Sequence, residues 1–183
     1  MALLLALSGC SQPASGSSPA GSTASSATTQ PSSGGAESRC ATRDVQITQS
    51  DHEGATGNGI STFKIVNRSP SACFLQGYPG FELVDGGGHH IADAARSLNS
   101  FFGSYPPPHK VVIEAGGQTT FDVTWGQNDP CGNTRAWRPA AFRVTPPDDV
   151  DSATVDASWA GGAAVVCPGT IEVHPVGSQH RFS

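Results

Sequence analysis

Charge is scarce in this chain and absent from its first fifth. Asp, Glu, Lys and Arg make up 14% of the 183 residues, lysine occurs only at Lys64 and Lys110, and none of the four precedes Glu37. With a formal net charge of -5 and no basic run, the chain lacks the clustered cations that neutralise phosphates, so no nucleic acid or other anionic partner is expected. Catalytic signatures are missing as well. There is no G-x-S-x-G, no H-E-x-x-H and no G-x-x-x-x-G-K-[ST]. A Ser, a His and a carboxylate can still converge from distant positions, but the expectation is a non-enzyme with no cofactor. No window carries the 3.6-residue apolar period of a long amphipathic helix.

The uneven charge divides the chain. Residues 11 to 36 are Ser, Ala, Gly, Thr and Pro with two Gln, which offer almost nothing to bury against the entropy of ordering a backbone. They read as a flexible linker. Residues 40 to 177 have the length of one ordinary domain, and 178 to 183 form a tail. Ahead of the linker, Ala2 to Leu7 is a short apolar run, followed by Ser8, Gly9 and Cys10. This resembles the lipobox of bacterial lipoproteins. The resemblance implies a signal peptide over 1 to 9, cut before Cys10, whose sulfur carries a diacylglyceryl group. Two or three acyl chains at ~0.8 kcal/mol per buried methylene hold a protein on a bilayer where one chain is marginal. The expected partner of Cys10 is thus the extracytoplasmic face of the cell membrane. No Lys or Arg precedes the run, and the run is short for such a peptide, so its true start is expected upstream. The linker, with Cys10 at its head and residue 39 at its end, is then a tether of about 29 residues with an r.m.s. reach of roughly 30 Å.

Removing Cys10 from the count leaves Cys40, Cys73, Cys131 and Cys167, an even set that reads as two disulfides in an exported chain. Four cysteines allow three pairings; the sequential one, Cys40 with Cys73 and Cys131 with Cys167, is the expectation. Each bridge would contribute about 3 to 4 kcal/mol in the chain-entropy account. Zinc is not expected, because no two cysteines have C-x-x-C spacing and none lies within five residues of a histidine.

The domain alternates polar and apolar residues with a period of two. "DVQITQ" (44 to 49), "STFKIVN" (61 to 67), "TTFDVTW" (119 to 125), "AFRVTP" (141 to 146), "ATVDASW" (153 to 159) and "TIEVHP" (170 to 175) each read as a half-buried strand. Gly- and Pro-rich turns punctuate them. The expected fold is all-β: an antiparallel β-sandwich of immunoglobulin-like type with two disulfides.

At "NRSPSACFLQGYPGFELVD" (67 to 85) the pattern becomes more specific. With "CATRDVQIT" (40 to 48), "VVIEAGGQTTFDVTW" (111 to 125) as a hairpin, "PCG" (130 to 132), "FRVTPP" (142 to 147) and "VVCPGTIEVHPV" (165 to 176) in the same order, it resembles the actinobacterial secreted lipoprotein family known as domain of unknown function 4232. The resemblance spans most of 39 to 177. It implies a lipid-anchored or secreted β-sandwich of the cell envelope and carries no catalytic residues with it.

Four places could carry function. The strongest is "SLNSFFGSYPPPHK" (97 to 110), a long connection whose Phe101, Phe102 and Tyr105 precede three prolines; aromatics in a stiffened loop suit low-entropy contact, although a lid over the core would use the same residues. Tyr78, between glycines in "GYPG", reads first as part of a tight turn. His89, His90, His109 and Asp93 could in principle hold a divalent ion, but adjacent residues on a strand face opposite sides, and a solvated turn explains them. Asp148, Asp149 and Asp151 lack EF-hand spacing. The expected activity is therefore binding of a protein or envelope component by a tethered module. A small-ligand or metal-binding lipoprotein, or a structural envelope component, is the alternative.

Overall fold

The structure is a computed structural model that describes residues 38–127, 131–159 and 162–180. The signal segment, Cys10 and the linker up to residue 37 lie outside the described residues. Among those described, the protein is all-β: the one helical turn is a 3-10 turn at Thr42–Asp44, and no α-helix occurs.

The strands are β1 (Ser38–Arg39), β2 (Val45–Ala55), β3 (Asn58–Asn67), β4 (Cys73–Gln76), β5 (Gly80–Val84), β6 (His90–Asp93), β7 (Ala95–Arg96) and β8 (Asn99–Ser100). They continue with β9 (Gly103–Ser104), β10 (Lys110–Ile113), β11 (Gln118–Gly126), β12 (Ala141–Thr145), β13 (Ala153–Asp156), β14 (Ser158–Trp159), β15 (Gly162–Ala163) and β16 (Glu172–Val173). Three sheets result, in the orders β1-β4-β10, β2-β3-β11-β16-β7 and β13-β12-β5-β6, with β8-β9 and β14-β15 as separate ribbons.

The longest pairing is the β2–β3 hairpin. Thr56 and Gly57 make its tip with φ of 47° and 79°, the positive values of a type I′ turn whose twist matches that of paired strands. A bulge at Ser50 shifts the register between Gln49 and Asp51. The apolar faces meet in one core. Phe63 of β3 stacks on Phe121 of β11 at 5.3 Å and sets its ring edge-on to Phe81 of β5 and Phe142 of β12, at 5.1 and 5.8 Å. Leu75 and Ile113 of the three-stranded sheet are buried in the same cluster. The disulfides pair Cys40 with Cys73 and Cys131 with Cys167.

Three expectations need correction. Residues 111–125 are not a hairpin: β10 pairs with β4, whereas β11 pairs with β3 and β16. The "EAGG" turn carries the chain from one sheet to another, and the buried Asn67 fastens the crossing. Its amide Nδ2 donates to the carbonyls of Ser71, Ile113 and Glu114, while its backbone exchanges hydrogen bonds with Gly116 and Gly117. Second, β3 and β11 are not half-buried. Thr62, Asp122 and Thr124, on the polar side of the alternation, are as inaccessible as Phe63 and Phe121, because two further segments cover that side. Third, residues 97–110 are not an irregular loop, since they hold the β8–β9 ribbon, in which Asn99 pairs with Ser104 and Ser100 with Gly103.

Candidate functional site

The covered side of the five-stranded sheet can be read from its register. Glu53 pairs with Ile60, Ile60 with Thr124 and Thr124 with Glu172, a row that crosses four strands. The next row is Asp51, Thr62 and Asp122, extended by His174, whose N–H donates to the Asp122 carbonyl at 3.0 Å. Period-two geometry puts both rows on the same face, away from Phe63, Phe121 and Val123.

Asp122 is the centre of this face. Fully buried, its carboxylate accepts from the Thr62 hydroxyl at 2.7 Å, the Tyr105 hydroxyl at 3.2 Å and the His180 backbone N–H at 2.6 Å. Burial pushes its carboxyl above the usual range, and the three donors oppose that shift. The Tyr105 phenol is pushed up too, first by burial and then by the Asp122 charge. The Tyr105 ring lies flat on His174, with centroids 3.7 Å apart and planes 12° from parallel.

His174 is locked as a neutral imidazole. Its Nδ1 faces the Ser97 carbonyl at 2.9 Å, which can only accept, so Nδ1 carries the proton and Nε2 accepts from the Thr124 hydroxyl at 3.0 Å. Burial lowers its pKa to about 4. Backbone bonds extend the attachment of the covering segment: Ala95 N–H to Ile171 O at 3.0 Å, Ser97 N–H to Val173 O at 3.1 Å and Tyr105 N–H to Leu98 O at 2.7 Å.

Above this anchored base stands the β8–β9 ribbon, with Phe101 and Phe102 as its two turn residues. The Ser100 hydroxyl accepts from the Phe102 N–H at 3.1 Å, and the Ser104 hydroxyl donates to the Asn99 side chain at 2.9 Å. Phe101 is 62% exposed and meets Phe102 edge-to-face at 5.4 Å and 88°. Phe102 in turn lies 6.3 Å from the His180 ring. Two hollows open on this side of the sheet, the smaller of them against the ribbon. One, of about 90 Å³, is bordered by Phe101, Phe102, Thr124 and Glu172; the other, of about 380 Å³, by Asp51, Glu53, Thr62 and His180.

Of the residues singled out in the sequence, Phe101 and Phe102 are the tip, while Tyr105 points inward and is the anchor rather than a contact. Tyr78 is half-buried in the turn from β4 to β5, where the Gly77 carbonyl accepts from the Val176 N–H at 3.0 Å; it belongs to a different part of the molecule. The histidines do not gather. His89 reaches Asp85 at 3.2 Å and His90 reaches Asp93 at 3.3 Å, and among the described residues no three His, Cys, Asp or Glu side chains stand where they could hold a metal ion. The acidic turn after β12 is structural. Asp148 pairs with Arg39, and Asp149 accepts from the Thr42 N–H at 2.6 Å and hydroxyl at 2.8 Å, which holds its pKa down at about 2.

Asp122, Thr62 and His174 were not singled out by the sequence reading. The available signal was a carboxylate inside the β-branched and aromatic run "TTFDVTW" and a histidine among the apolar residues of "IEVHPV". Each sits where a solvated strand face would be an equally good explanation.

Comparison with known proteins gives a family and no activity. The family described as Domain of unknown function (DUF4232) matches residues 40–177, and the chain belongs to it. No curated protein matches the chain.

Proposed function

We propose that this member of the domain of unknown function (DUF4232) family is a cell-envelope lipoprotein. In this reading the lipid on Cys10 holds it at the extracytoplasmic face of the membrane, and its β-domain is an interaction module rather than an enzyme. The observation that carries the binding role is Phe101, an aromatic ring 62% exposed on a ribbon whose base is fixed by buried hydrogen bonds of Tyr105 and His174. A large apolar side chain held in water by a stiff support loses little entropy on binding, which is the condition under which a small contact yields affinity.

The anchor is supported by the small-small-Cys boundary at Ser8, Gly9 and Cys10 and by the uncharged tether behind it. No helix among the described residues is long and apolar enough to cross a membrane. For the fold, the contact of Phe63 with Phe81 and Phe142 supports an immunoglobulin-like sandwich, in which the five-stranded and four-stranded sheets close over a shared aromatic layer.

Two variants in living cells test the proposal. Cys10→Ser is expected to move the protein from membranes to the soluble fraction; retention on membranes would remove the anchor from the reading. A photo-crosslinking side chain at position 101 is expected to capture one reproducible envelope component, with capture lost when Phe102 is also changed to Ser. Absence of any specific capture would transfer the weight to a small ligand or to a structural role.

A further inference from the structure

We propose that the 90 Å³ hollow behind the ribbon tip binds the head of an alkylammonium ion, with the face of Phe101 as the cation–π surface and Glu172 as the counter-charge. This rests on the binding role of the ribbon and names the chemistry that role would recognise.

Size is the first restriction. Drug-sized ligands occupy hollows of roughly 300 to 1,000 Å³, so this one admits a single compact head group. Charge is the second. Asp51, Glu53 and Glu172 stand on the same sheet face as the buried Asp122, and with strands roughly 4.8 Å apart the two ends of the outer row, Glu53 and Glu172, lie roughly 14 Å from each other, with Glu172 the one that borders the hollow. Lys64, one row further along and paired with Thr48 and Thr120, is the lysine of this face. An anion would meet Glu172 at close range and is excluded by repulsion.

Chemistry separates what remains. A neutral alkyl group would suit the rings but would cover Glu172 without pairing it, and burying an unpaired carboxylate is costly. A hydrated metal ion needs several ligating side chains, and among the described residues no such group occurs. An alkylammonium head satisfies both walls at once: its charge spreads over methyl or methylene groups that lie against an aromatic face, and one carboxylate balances it. Phe101 borders the hollow and is 62% exposed, and its edge-to-face contact with Phe102 fixes the ring.

The test uses the full chain carrying Cys10→Ser and reads saturable NMR shifts at Phe101, Phe102 and Glu172. Choline is compared with 3,3-dimethylbutan-1-ol, the same shape with carbon in place of the charged nitrogen. Choline is expected to saturate in the millimolar range and to bind at least about threefold more tightly than the neutral analogue, the ratio that an exposed cation–π contact gives. Glu172→Gln is expected to weaken choline by a similar factor and leave the analogue unchanged. Phe101→Leu keeps apolar bulk and is expected to reduce the preference for charge to the part that Glu172 supplies. Equal binding of the two probes, or no shift at these residues, overturns the proposal. Nα-acetyl-lysine methylamide resolves the source: tighter binding than choline assigns a protein lysine, weaker binding a quaternary head group. If the crosslinker at position 101 still captures its partner while choline shifts nothing, the ammonium site is wrong and the binding role stands. If both fail, the ribbon is only a cover.

Discussion

At their centres the two faces of the five-stranded sheet are equally dry and chemically opposite. One carries Phe63, Ile65, Phe121 and Val123 against the aromatic rings of the four-stranded sheet. The other carries Thr62, Asp122, Thr124 and His174 under the 97–109 segment and the C-terminal residues. An apolar face gains from any close neighbour, since transfer from water is non-directional. A polar face gains only when each donor finds its acceptor, because an unmatched buried group costs about 1 to 3 kcal/mol. The first face therefore supplies stability, and the second dictates where its cover must lie. Tyr105 reaches Asp122 and His174 from the base of the ribbon, and in that arrangement Phe101 stands in solvent.

The contrast is broken most directly from the apolar side. Phe63→Ala removes the ring that touches Phe81, Phe121 and Phe142 and is expected to cost about 3 to 5 kcal/mol, measured as a lower urea midpoint with an unchanged slope. A loss below about 1 kcal/mol would mean that the sheets do not depend on that layer.

Acid acts on the polar face through His174 and Asp122. The pKa of His174 is held at about 4 against an ordinary 6.5, so below pH 6.5 the unfolded chain binds this proton first. Stability from the neutral ring is complete above 6.5 and lost as pH falls toward 4, by an amount on the order of 3 kcal/mol. His52, also lowered by burial, acts in the same direction. Asp122 acts in the opposite one: its raised pKa means that the folded state holds the proton better, so its contribution is present below 3.8 and lost as pH rises through the folded value. Asp85 and Asp149, both lowered, act only as pH falls below about 3.8. Between pH 6.5 and 4 the histidines and Asp122 oppose each other, and wild type is expected to weaken gently. Asp122→Asn removes the compensating group, and its stability is expected to fall more steeply over the same interval. Parallel wild-type and variant curves would show that Asp122 does not take up a proton there.

A smaller change separates anchor from core. Tyr105→Phe keeps the stack on His174 and removes one donor to Asp122, which retains Thr62 and the His180 N–H. The expected cost is about 1 to 2 kcal/mol, with faster hydrogen exchange concentrated in residues 98–105. Exchange that rises evenly over all sheets would mean that the ribbon is not held by this bond.

The sequence shows one of these faces well and the other poorly. Alternation in "STFKIVN" and "TTFDVTW" located β3 and β11 and the apolar face they share, because a period of two depends on neighbouring residues alone. The same alternation assigned Thr62, Asp122 and Thr124 to solvent. What buries them is Tyr105, 17 residues before Asp122, and His180, 58 residues after it, and no local pattern encodes a cover supplied from that distance. The misread hairpin at 111–125 has a similar cause: "EAGG" is turn chemistry in either case, and the hydrogen bonds of Asn67, made 46 residues away at Ile113, decide that the strands part. For the ribbon, aromatic content and length marked 97–110 as unusual, but Phe101 and Tyr105 read alike in sequence. Only the buried acceptor beneath Tyr105 separates them.

The smallest expected effect is the most informative for function. Phe101→Ser sits 62% exposed at a turn whose hydrogen bonds come from Ser100, Asn99 and Ser104, so folding stability is expected to change by less than about 0.5 kcal/mol. Capture by a photo-crosslinking side chain moved to position 102 and ammonium binding are expected to disappear together. Thermal unfolding and hydrogen exchange measured on the same sample distinguish the outcomes. A fall in stability of more than about 1 kcal/mol would place Phe101 with Tyr105 as part of the cover, and the contrast between a fixed base and an exposed tip would collapse. Unchanged stability with lost binding keeps the contrast, because it locates function on an exposed aromatic that the polar face holds out of the core.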